Sequence, residues 1–118
     1  VGVASQLKQT HIMETNNSQK TIYQAYEEIK AREISELVTV LKQCGGKYQF
    51  DTGEYNPYIM INRDHPEDVL VSRVYLSPDN TPVVIVADDS YDEPYEVRLE
   101  DIAYSHIEFI TDSIRHAI

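Results

Sequence analysis

The densest chemistry-bearing stretch of the chain is Asp88-Asp89-Ser90-Tyr91-Asp92-Glu93, with Glu96 and Glu100 close behind it. Clustered carboxylates are what hard cations take, because Ca²⁺ and Mg²⁺ are bound through oxygen. The spacing does not make a calcium loop. Counted from Asp89, Glu100 falls at position twelve, but Tyr91 holds position three and Pro94 holds position six, where the turn requires glycine. Counted from Asp88, position twelve is Leu99. The stretch therefore reads as a solvated hairpin loop, with no metal expected.

The other reactive residue types form no constellation either. His106 and His116 are too far apart for one short helical face, His65 sits in a turn beside Pro66, and His11 lies in a polar leader. Zinc asks for His or Cys pairs at short spacing. Cys44 follows an amphipathic stretch and precedes Gly45-Gly46. That is the wrong end of a helix for a reactive thiolate. None of Ser72, Ser77, Ser90 and Ser105 lies in a Gly-x-Ser-x-Gly elbow, and Gly45-Gly46 lacks the rest of a phosphate loop. No catalytic residue and no cofactor are expected.

Tyrosine is the remaining candidate. Tyr55 and Tyr58 flank Asn56-Pro57, while Tyr91 and Tyr95 flank Pro94. Tyrosine brings a large contact area with few rotatable bonds, which favours it at binding surfaces. The candidate partner-binding set is thus Tyr55, Tyr58, Asp88, Asp89, Tyr91, Asp92, Glu93, Glu96 and Glu100. The plainer alternative makes Tyr48, Tyr58, Tyr75 and Tyr95 half-buried strand residues and the carboxylates a solubilising surface.

Charge narrows the partner. The formal net charge is -10. Residues 1–49 carry six Lys/Arg and five Asp/Glu, whereas residues 50–118 carry four and fifteen. The second segment holds all of the excess. Its field repels phosphate backbones and attracts basic proteins, so direct nucleic-acid binding is not expected. No stretch is apolar and long enough to cross a membrane. No basic-then-apolar leader marks export, and a lone cysteine fits a reducing compartment. A cytoplasmic protein is expected.

Two amphipathic helices and about five short strands must position these residues. Residues 1–18 are polar and without period, and read as a disordered or tag-derived leader to a single domain over 19–118. The chain opens on Val1, which makes Met13 a candidate start. A helix is expected from about Gln19 to Gln43, with Ile22, Tyr26, Ile29, Ile34, Leu37, Val38 and Leu41 on one stripe. Thr21 with Gln24 matches a capping box, Ser18 being the rival cap. Gly45-Gly46 stops the helix. Strands follow at Lys47–Asp51, Tyr58–Asn62, Val69–Leu76, Pro82–Ala87 and Tyr95–Leu99, separated by turn residues such as Ser77-Pro78-Asp79-Asn80. Val83-Val84-Ile85-Val86 is apolar on both faces, which marks a central strand. Ala103, Ile107, Ile110, Ile114 and Ile118 give a last helix, with a Ser105/Glu108 capping box or an Asp101 cap. The fold class is α+β: a mainly antiparallel sheet with helices on one face, or the same strands bent into a small barrel.

The segments Tyr58-Ile59-Met60-Ile61-Asn62, Asp68-Val69-Leu70-Val71, Val97-Arg98-Leu99-Glu100-Asp101-Ile102 and His106-Ile107-Glu108-Phe109-Ile110 resemble short uncharacterised proteins of gut Bacteroidales and their mobile elements. The resemblance covers Lys47 to Ile114, just over half the chain, and brings no catalytic motif. It carries over no function; a small adaptor, regulator or inhibitor, one option being that of a mobile element, is expected from the residues alone. The function expected from the residues is a non-catalytic interaction domain that meets a basic protein. One alternative is an acidic mimic of nucleic acid that occupies a DNA- or RNA-binding protein. Another is a small ligand-binding domain or enzyme without a visible motif.

Overall fold

The structure is a computed structural model that describes residues 21–50, 56–61, 67–88 and 92–118. The leader, Tyr55, Asp89 and Tyr91 lie outside them. Helix α1 spans Ile22–Gln43, strands β1 to β5 span Lys47–Gln49, Tyr58–Ile61, Glu67–Leu76, Pro82–Ala87 and Tyr95–Val97, and helix α2 spans Tyr104–Ala117. A 3₁₀ turn at Leu99–Asp101 joins β5 to α2.

The start of α1 is the capping box that its sequence announces. The Gln24 N–H donates to Thr21 Oγ1, and the Thr21 N–H donates to Gln24 Oε1, each at 3.0 Å. At the other end the N–H groups of Cys44 and Gly46 both reach the Leu41 carbonyl, at 2.9 and 2.8 Å. Gly45 and Gly46 have φ of 77° and 88°. Two consecutive left-handed residues are open to glycine without a Cβ clash.

The sheet is antiparallel throughout, in the order β1-β3-β4-β5, with β2 on the same edge of β3 as β1. The long β3 makes this possible. Its C-terminal half pairs with β1 and its N-terminal half with β2. The two meet where the Phe50 N–H donates to the Ser72 carbonyl and the Val71 N–H donates to the Pro57 carbonyl, both at 2.9 Å. At the same point β3 bulges against β4: Val71 faces Val86 and Arg73 faces Ile85, leaving Ser72 as the extra residue. The bulge shifts the inward positions from Val69 and Val71 to Val74, and turns Arg73 outward.

Both helices cover one face and share one core with it. Leu37, Val40 and Leu41 of α1 meet Ile107, Ile110 and Ile114 of α2 over Val71, Val74, Val84 and Val86. Each such side chain contributes about 1.5–3 kcal/mol on burial. The sheet does not close into a barrel. One isolated antiparallel bridge, Ile61 to Ile102, ties the chain after the 3₁₀ turn back to β2.

Several boundaries differ from the sequence reading. The last strand ends at Val97, and Leu99 lies in the 3₁₀ turn. Helix α2 begins at Tyr104 on an Ala103 cap without a side-chain bond, so neither Ser105 nor Asp101 caps it. The Ile61–Ile102 bridge and the extended Ala103 (ψ 151°) fix the entry first, and the capping pattern is left inside the helix. Ile22 is 91% exposed and does not join the core stripe. Val40 is buried in that stripe, while Val38 is half-buried.

Candidate functional site

Of the carboxylates singled out in the sequence, Asp92, Glu93 and Glu96 stand where the sheet order ends. β5 is the edge strand, and Asp92 and Glu93 stand exposed on the chain that leads into it. Glu96 is the middle residue of β5, exposed and opposite Ile85. The alternation of Tyr95, Glu96 and Val97 sends Glu96 to the face away from the helices, because Val97 is buried. Glu100 follows in the 3₁₀ turn and takes a 3.2 Å ion pair from the exposed Arg98. Asp92, Glu93 and Glu96 have no cationic partner among the described residues.

Asp88 plays a different part. It is half-buried after β4, and its Oδ2 accepts the Tyr95 hydroxyl at 3.0 Å. The bond ties the end of β4 to the start of β5.

Tyr58 is 57% exposed on β2, opposite Leu70. In the sheet order β3 and β4 lie between it and β5. Tyr48, Tyr75 and Tyr95 are half-buried, as strand tyrosines commonly are.

The face of the sheet away from the helices holds residues that sequence reasoning passed over. Lys47 faces Tyr75, and Gln49 faces Arg73, in the β1–β3 ladder. The Arg73 guanidinium lies over the Tyr75 ring, 5.4 Å from its centre. Only the register, and the bulge at Ser72, bring these side chains together. An arginine inside a valine-rich strand was the available signal.

Between the helices a second polar seam runs through Glu33, Glu36, Glu108, Asp112 and Arg115. Arg115 pairs with Glu36 at 3.8 Å and with Asp112 at 3.6 Å. Burial, and then the charges of Glu36, Glu108 and Asp112, push the Glu33 carboxyl above its ordinary range. This seam is structural: its ion pairs tie α2 to α1 and to itself.

Among the described residues no group of three or more His, Cys, Asp or Glu side chains is placed to hold a metal ion. No described helix is long and apolar enough to cross a membrane. Comparison with family models, with curated proteins and with solved structures gives no match to this chain. The fold and the surface chemistry therefore carry the functional reading by themselves.

Proposed function

We propose that this chain is a non-catalytic interaction domain that docks a basic protein surface against the acidic edge of its sheet. The observation that supports this reading is the grouping of Asp92, Glu93 and Glu96 without cationic partners at β5, with Glu100 in the following turn. Carboxylates held on an edge strand and its flanks stand in a fixed row, which suits a row of Lys and Arg on a partner. Such a field speeds encounter and selects the partner's sign, and it weakens as salt rises. Ile85, half-buried beside Glu96, offers an apolar neighbour to the charged row.

The test is a variant with Asp92→Asn, Glu93→Gln, Glu96→Gln and Glu100→Gln. Asp88 is left in place, since its bond to Tyr95 ties β4 to β5. All four changed side chains are exposed, so the fold is expected to survive. A partner captured by the parent chain is expected to be lost by the variant. A partner that binds both equally contradicts the proposal.

A further inference from the structure

We propose that the sheet face away from the helices binds a second copy of this chain, in a two-fold dimer whose axis runs along β4. The register lays one row across that face: Gln49 faces Arg73, Arg73 faces Ile85, and Ile85 faces Glu96. Arg73 and Glu96 thus flank β4 with Ile85 between them, two strand spacings or roughly 10 Å apart. β4 turns Val83, Ile85 and Ala87 to this face, all half-buried, while Val84 and Val86 enter the core under the helices. The face is an apolar stripe with a cation on one flank and a carboxylate on the other.

That pattern is self-complementary. A two-fold axis lying in the interface along β4 sets each residue of the apolar stripe against its own copy and exchanges the flanks. Arg73 then meets Glu96 of the partner subunit, and Glu96 meets Arg73 of the partner subunit, the reciprocity of an isologous interface. An axis across the strands would set Arg73 against its own copy, so the charges select the axis along β4. Face-packed sheets lie about 10 Å apart, a gap that an arginine and a glutamate bridge from opposite sides. Both residues are exposed, and neither has an ion-pair partner among the described residues. Arg73 is steadied over the Tyr75 ring, and Arg98, just past β5, is already paired with Glu100. A face four strands wide and as long as β4 covers roughly 400 Å² per copy. A standard interface covers about 800 Å² per partner, so the association is weak and reversible. The net charge of -10 opposes two copies at long range, and about 0.1 M salt confines that repulsion to about 10 Å.

The measurement is sedimentation velocity of the full chain at about 0.15 M salt, over a concentration series from micromolar to millimolar. The parent is expected to pass from monomer to dimer. Arg73→Glu sets carboxylate against carboxylate, and Glu96→Arg sets cation against cation. Each is expected to weaken the dimer at least about tenfold, because like charges now meet. An equimolar mixture of these two variants, and the double variant Arg73→Glu/Glu96→Arg, restore opposite charges at both contacts and are expected to dimerise as the parent does. A misfolded variant cannot give that rescue. Arg73→Glu also leaves all four edge carboxylates in place, so loss of the dimer and loss of a basic partner are separate observations. The proposal is overturned by a parent that stays monomeric throughout the series, by a dimer indifferent to the single reversals, or by reversals that neither the mixture nor the double variant rescues.

Discussion

Glu33 has one carboxylate oxygen shut away from solvent with no hydrogen-bond partner among the described residues, and it faces Glu36, Glu108 and Asp112. Its pKa is raised above the ordinary 4.5, first by burial and then by those charges. The folded chain therefore binds this proton more readily than the unfolded chain. Stability falls as pH rises from 4.5 through the raised value, and the full penalty remains at neutral pH. Glu33→Gln is expected to raise the thermal midpoint at neutral pH, with the gain fading once acid protonates the parent. A lower midpoint at neutral pH would show that the charge is stabilising. Asn80 is a second sensitive residue. It holds φ 63° in a turn braced by Ser77, Asp79 and Thr81. A β-branched side chain resists that conformation, so Asn80→Val is expected to cost about 1–2 kcal/mol in denaturant unfolding. No measurable cost would mean that the turn relaxes to another type.

At the scale of elements, the helices hold the sheet through a few fully enclosed side chains. Leu37 and Ile110 are 0% exposed in the shared core. Truncating either to Ala is expected to cost about 2–4 kcal/mol, by lost transfer energy and the cavity left behind. Ile22→Ala is the contrast, expected to change stability little because the side chain is 91% exposed. Deleting Ser72 tests the bulge. With the extra residue gone, strict alternation keeps Val71 and Val74 on the core face and Arg73 on the outer one, so cooperative unfolding is expected to survive. Loss of cooperative unfolding would show that β3 needs the bulge itself to serve β1 and β2 along one edge. The bulge also marks where the sequence stops being legible. Val83-Val84-Ile85-Val86 is apolar on both faces and reads directly as a central strand, and Thr21 with Gln24 reads directly as a helix start. A bulge has no periodic signal of its own, so the outward turn of Arg73 and its meeting with Lys47 required the register. The Ser105/Glu108 pattern misleads for a related reason: Ile102 is already bound to Ile61 when the helix begins, and that long-range contact outweighs a local cap. The grouping of Asp92, Glu93, Glu96 and Glu100 is legible as one short stretch, but that this stretch runs along an edge strand depends on strand order, which spacing does not encode.

Across the whole molecule the governing quantity is charge. The net -10 is concentrated in residues 50–118, and like charges at that density repel within a small fold. Added salt shortens the range of that repulsion to about 10 Å at 0.1 M, so the thermal midpoint is expected to rise modestly from low to moderate ionic strength. The same screening acts in the opposite direction on a complex formed through the acidic edge. These opposed responses separate a functional surface from one that only keeps molecules apart. The most direct measurement compares the parent with the Asp92→Asn/Glu93→Gln/Glu96→Gln/Glu100→Gln variant in affinity capture from the organism that makes the chain. Dissociation constants for the captured protein follow at low and high salt, after both chains are shown to unfold at similar midpoints. The account predicts a partner with a basic surface that binds the parent, weakens steeply with salt and is lost by the variant. A partner held equally by both chains, with little dependence on salt, would contradict it.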